Sequence, residues 1–82
     1  MKHLAFKFLI RPGCHLCDEA RPLVERAIRR RGGTLEEIDI DTDDSLIRDF
    51  GMRVPVLLGP GSDVIAEGRI DRGSLRRALR GV

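Results

Sequence analysis

Two kinds of hydrophobic spacing alternate along this 82-residue chain and divide it into short strands and helices. Leu4 to Ile10 is apolar at nearly every position apart from Lys7, as in a strand buried on both faces. Pro12-Gly13 ends it. From Cys14 onward the apolar residues are Leu16, Ala20, Leu23, Val24, Ala27 and Ile28, and steps of three and four place them in one helical stripe. Asp18 and Glu19 in the first turn and arginines in the last complement the helix dipole. Gly32-Gly33 stops the helix. Leu35 to Ile40 sets Ile38 and Ile40 against Asp39 and Asp41, the alternation of a half-buried strand. Thr42 or Asp43 caps a short helix that runs to Phe50 and ends at Gly51. Val54 to Leu58 is a third strand, Gly59 to Asp63 a turn cluster, and Val64-Ile65-Ala66 a fourth strand. That turn is too short for a crossover, so the last two strands form an antiparallel hairpin. Asp71 caps a final helix with Leu75, Ala78 and Leu79 on one side.

The order is β-α-β-α-β-β-α, an α/β chain forming one domain over residues 1–82. Two helical crossovers imply a parallel part of the sheet, and the hairpin adds an antiparallel edge. The expected product is a four-stranded mixed sheet with helices on both faces. A chain this short buries only about 60% of its unfolded surface, so its core is thin. With three Phe, no Trp and no Tyr, that core is mainly aliphatic, and Phe6, Phe8 and Phe50 are assigned to it.

Hydrophobic residues at 41% and charged residues at 34% are the balance of a globular domain. The net charge of +2 gives no argument for nucleic acid, and the basic residues are read as mixed with acids instead of gathered on one face. Arg29-Arg30-Arg31, the one basic run, could touch phosphate, but its plainer reading as a solvated helix end is preferred. No stretch approaches the roughly 20 apolar residues that span a bilayer, and the N-terminus has no small-residue cleavage site. The expectation is a cytoplasmic monomer with neither membrane nor nucleic-acid partners. In a reducing compartment two cysteines do not serve as a structural staple, so chemistry has to explain their placement.

That placement is Cys14-His15-Leu16-Cys17, directly after the first strand and opening the first helix. A C-x-x-C near a β-α-β pattern is a redox signature. A helix N-terminus presents unpaired N–H groups and about half a positive charge, which favour a thiolate over a thiol. Such settings bring a cysteine pKa from near 8.5 to roughly 3.5–7.5. The first cysteine sits at the terminus with its sulfur exposed, and the second lies one turn inside. Cys14 is therefore the candidate nucleophile and Cys17 the resolving thiol.

Arg11-Pro12-Gly13-Cys14-His15-Leu16-Cys17, followed by Val54-Pro55, resembles the glutaredoxin-like proteins of the thioredoxin superfamily, in particular a small bacterial group with a Gly-Cys-His-Leu-Cys motif. The resemblance implies the thioredoxin-like fold and a thiol–disulfide oxidoreductase. It implies that Arg11 helps hold a glutathione carboxylate. Val54-Pro55 would carry a cis peptide facing the cysteines, with the backbone of Val54 pairing with substrate. Gly68 and Asp71 would form the turn that holds the other end of glutathione. Pro22 stands where thioredoxins have the proline that kinks this helix. The chain departs from thioredoxin in having Gly13 where a Trp stands and Phe8 where a buried acid stands. It departs from typical glutaredoxins in having His15-Leu16 where Pro-Tyr stands. The implied partners are protein disulfides or glutathione, and a reductase system. No cofactor is tightly bound, and glutathione is the candidate co-substrate.

Each residue also has a plainer reading. Two thiolates could hold zinc or a shared iron–sulfur cluster, but zinc wants four ligands and only His3 and His15 remain as soft candidates. No metal site is expected. His15 either stabilises the Cys14 thiolate as a cation or simply tunes the dipeptide. Arg11 could be a solvated strand-end cation, Pro55 an ordinary trans proline, and Asp71 a helix N-cap.

Overall fold

In the computed structural model, which describes residues 4–82, the opening apolar run forms β1 (Ala5–Ile10). The striped segment forms α1 (His15–Arg30), which continues unbroken through Pro22. Then come β2 (Thr34–Asp39), a 3-10 turn (Ile40–Thr42), α2 (Asp44–Phe50), β3 (Val56–Leu58), β4 (Val64–Glu67) and α3 (Arg72–Leu79). Strand β2 stops one residue short of the expected end. The Asp39 carboxylate accepts the Asp41 N–H at 2.9 Å and turns the chain, yet Ile40 stays fully buried. Asp43 caps α2 through the Ser45 N–H at 2.9 Å.

The sheet order is β2-β1-β3-β4. Strands β1 and β2 are parallel, from Ala5 opposite Thr34 to Ile10 opposite Asp39. Strand β3 runs antiparallel to β1, with Leu9 opposite Val56, and β4 antiparallel to β3. The expectation that both helical connections build parallel sheet is corrected here, because only the first does. Helix α1 is about 24 Å long and can return the chain along a strand of about 20 Å. Helix α2 has seven residues, about 10 Å, and cannot. Strand β3 therefore starts at the end of the sheet where β2 finished, and runs back.

The two faces of the sheet are filled unequally. On one, Phe6 and Phe8 of β1 and Leu57 of β3 meet Ala20, Val24 and Ile28 of α1 and Leu75 and Leu79 of α3. On the other, Leu9, Ile40, Val56 and Leu58 are buried beneath α2, with Leu46 and Phe50 packed against them. The expectation that β1 is buried on both faces holds only for its last part. Ala5 and Lys7 are exposed, because short α2 covers only one end of that face.

The expectation that basic and acidic residues stay mixed is also corrected. The helical repeat puts residues four apart on one side, so Arg26 and Arg30 of α1 stack beside Arg72 and Arg76 of α3 along a common groove. The acids Glu36, Glu37, Asp39, Asp41, Asp43 and Asp44 fall in the segment of β2 and the start of α2, where no base interrupts them. Among the described residues, no helix is long and apolar enough to cross a membrane.

Candidate active site

The turn between β1 and α1 is built by its own residues. Pro12 occupies the second position and Gly13 the third, with Gly13 at φ +76°, and the Cys14 N–H closes the turn on the Arg11 carbonyl at 3.2 Å. This is the residue pattern of a type II turn, in which the third position favours glycine. The turn delivers Cys14 as the N-cap of α1, in extended backbone geometry. Its sulfur takes the place usually held by a Ser or Asp oxygen and accepts the Cys17 N–H at 3.1 Å.

Cys14 and Cys17 are joined in a disulfide, with their Cα atoms 5.2 Å apart. The two sulfurs are not equivalent. Cys14 is half-buried, whereas Cys17 has no exposed surface. One side of the pair is reachable from solvent and the other belongs to the buried stripe of α1 that continues through Ala20, Val24 and Ile28.

The strand register gathers most of the other candidates at the same end of the sheet. Val54-Pro55 immediately precedes Val56, which pairs with Leu9 near the end of β1. The Val54–Pro55 peptide is cis, and Pro55 is buried. Gly68 follows Glu67, which pairs with Val56, and the Gly68 N–H donates to the Pro55 carbonyl at 2.8 Å. Gly68 has φ +71°. Arg11 sits at this end too, but it is engaged: its Nε donates to Asp41 at 2.7 Å and its Nη1 to the Gly51 carbonyl at 3.3 Å. It ties the 3-10 turn and the end of α2 to the cysteine turn.

His15 and Asp71 behave differently. The His15 side chain is 89% exposed, and its Nε2 lies 3.0 Å from Glu19 one turn along α1, directed along the solvent side of the helix. Asp71 is the N-cap of α3. Its carboxylate accepts the Ser74 N–H at 2.8 Å, and its own N–H donates to Ser74 Oγ at 3.1 Å, completing a capping box. These hydrogen bonds, led by the Ser74 N–H, hold the Asp71 carboxyl below its ordinary value. Among the described residues, no group of three or more His, Cys, Asp or Glu could hold a metal ion. His3 lies outside the described residues.

The sequence profile of the Glutaredoxin-like domain (DUF836) matches residues 6–80. The chain belongs to that family. A structural-genomics target from X. campestris is 32% identical to this glutaredoxin-like chain, with a TM-score of 0.78, covering 94% of this chain and 97% of its own. A protein of Nitrosomonas europaea solved in solution is 26% identical, with a TM-score of 0.77 and coverage of 96% and 94%. A point mutant of thioredoxin from Halobacterium salinarum is 24% identical, with a TM-score of 0.68, over 96% of this chain and 74% of its own. That last likeness speaks for the fold alone, which is thioredoxin-like. No protein among the curated ones matches the chain.

For a glutaredoxin-like site, sequence reasoning missed Asp41 and Gly51 as the partners of Arg11, which lie 30 and 40 residues from it. It also passed over Met52, which is 99% exposed and two residues before Val54. No local pattern marks either feature; Asp41 reaches Arg11 because the parallel register sets Ile10 opposite Asp39.

Proposed function

We propose that the chain is a thiol–disulfide oxidoreductase in which Cys14 attacks and Cys17 resolves. The unequal exposure of the two sulfurs at the head of α1 carries this reading. In the reduced protein the Cys14 thiolate attacks a substrate disulfide. A Cys14–substrate bond forms, and the other substrate sulfur leaves as a thiolate that takes a proton. The Cys17 thiolate then attacks the Cys14 sulfur and releases the second substrate thiol. Two electrons pass to the substrate, and the Cys14–Cys17 disulfide is left behind. The N–H groups at the start of α1 favour the Cys14 thiolate as attacking and as leaving group. Burial keeps Cys17 from competing for the incoming disulfide.

The substrate is a protein disulfide or a glutathione mixed disulfide, and glutathione or a reductase restores the dithiol. Val54, Pro55 and Gly68 share the end of the sheet with the cysteine turn, which supports a role for them in seating an extended substrate. For Arg11 to meet a glutathione carboxylate it must share its guanidinium with Asp41. Asp71 contributes first by capping α3. His15, turned along the solvent side of α1, acts on incoming substrate more than on the sulfur.

The test is equilibration in defined mixtures of reduced and oxidised glutathione, with the protein forms read by mass. The intact protein is expected to interconvert between dithiol and internal disulfide, and Cys17→Ser to accumulate one glutathione on Cys14. An internal disulfide in the intact protein with no glutathione adduct on Cys17→Ser would shift the substrate to protein disulfides. If neither thiol reacts, or Cys14 titrates as an ordinary thiol near pH 8.5, the oxidoreductase reading fails. A metal-loaded protein whose thiols resist exchange would favour the cluster-holding alternative.

A further inference from the structure

Between the C-terminal half of α1 and α3 lies a groove of about 340 Å3. Its walls carry Arg26 and Arg30 of α1, Arg31 at its C-cap, and Arg72 and Arg76 of α3, all exposed, and no carboxylate lines it. By contrast, Arg11 is paired with Asp41, Arg21 with Asp18 and Glu37, Arg48 with Asp49 and Arg53 with Glu67. None of the five wall arginines forms an ion pair with a described residue. In a chain whose net charge is only +2, this concentrates unneutralised cations on one surface. The floor is apolar. Leu75 and Leu79 are buried there, and Leu23 and Ala27 are half-buried.

We propose that this groove docks an acidic amphipathic helix of a partner protein. Charge complementarity selects the acid, because five unpaired guanidinium groups are met by carboxylates, which the arginine fork binds in two-point fashion. The recessed apolar floor selects an apolar stripe between those carboxylates, the helix-in-groove mode of recognition. On each wall two arginines stand four residues apart, about 6 Å along the axis, which matches carboxylates four residues apart on the partner. Helix α3, about 12 Å long, gives room for roughly two turns. A single nucleic-acid strand would satisfy the walls, but the groove has no aromatic ring on which bases could stack. A bilayer would need the apolar residues to project; here they lie below the arginines.

Arg26 is about 18 Å along α1 from Cys14, so the partner helix leaves the disulfide uncovered. The docking site thus stands apart from the proposed exchange chemistry, and Cys14→Ser should not affect it.

The probe is a synthetic helix of about 14 residues, with leucines at i, i+3, i+4 and i+7 and glutamates flanking them. The control has the same composition in scrambled order. Binding is followed by amide chemical shifts of the isotope-labelled protein. Shifts are expected in residues 23–31 and 72–80 and not in residues 11–17 or 54–55. The Arg26→Glu/Arg30→Glu variant, altered only at exposed positions, should bind about tenfold or more weakly, as should Arg72→Glu/Arg76→Glu. The matching Gln variants should weaken binding less, and unchanged melting curves would show that the fold persists. Three results would each overturn the proposal: no binding of the striped peptide in low salt, equal binding of the scrambled one, or shifts centred on Cys14. Tighter, arginine-dependent binding of a uridine decanucleotide, or of phosphatidylcholine–phosphatidylglycerol vesicles, would replace the helix with nucleic acid or membrane.

Discussion

The two faces of the sheet solve the same burial problem with different means. The face under α1 and α3 is filled by a continuous cluster of side chains that includes both buried phenylalanines. The face under α2 has a smaller cluster and leaves Lys7 and Ala5 in solvent. Polar connections compensate on that thinner side. Asp39 and Asp43 cap successive turns, and Arg11 ties Asp41 and Gly51 together. The cysteine turn borders both. Cys17 is anchored in the thick layer, while Arg11 is held by the thin one. One cysteine is thereby immobilised, and the residue flanking the other is held mainly by hydrogen bonds that solvent can contest.

Matched substitutions can break this comparison. Ile28 and Ile40 are both essentially inaccessible, one on each face. Replacement by Ala should cost about 2–5 kcal/mol at either site. Ile28→Ala should lie near the upper end, because the layered helices cannot collapse onto the cavity, and Ile40→Ala lower, because α2 can settle. Urea denaturation measures both, and an Ile40→Ala cost equal to or above that of Ile28→Ala would remove the asymmetry.

A smaller effect is expected from Arg11→Ala. Its ion pair is partly exposed, so global stability should fall by only about 0.2–1 kcal/mol. Amide hydrogen exchange in α2 should nonetheless accelerate, while the buried turns of α1 keep their protection. Uniform acceleration in both helices would show that the thin face is not an independent unit.

The smallest effect is acid sensitivity. The Ser45 hydroxyl and N–H hold the Asp43 carboxyl below its ordinary value of 3.8, and the Ser74 hydrogen bonds do the same for Asp71. A carboxyl lowered in the folded state stabilises fully above its unfolded pKa and loses that contribution as pH falls through its folded one. The caps of α2 and α3 should therefore weaken only below about pH 4. Asp43→Asn and Asp71→Asn should each flatten the acid limb of a stability–pH curve. Because α2 has fewer buried contacts, its amides should lose protection at higher pH than those of α3. The reverse order would contradict the thin-face argument.

Much of the molecule was legible from local pattern. The helical stripe from Leu16 to Ile28 is buried on the expected side, and Gly32 at φ +70° ends that helix as its position suggested. Asp71 was read as a helix cap that could also meet a ligand, and it caps α3. The direction of β3 is not legible from the order of elements alone, because a helical connection builds parallel sheet only when its helix is long enough to return the chain, and α2 is not. The gathering of arginines is not legible locally, because Arg26 and Arg30 lie more than 40 residues from Arg72 and Arg76 and meet only once α1 and α3 are side by side.

The order of elements, the apolar stripe of each helix and the position of a cysteine at the head of α1 follow from spacings of two to four residues, so the sequence by itself determined them. Which way β3 runs, which carboxylate holds Arg11, and that five arginines share one groove were decided by tertiary structure. These depend on contacts between residues tens of positions apart, and such contacts exist only after the sheet has set its register and the helices have been laid upon it.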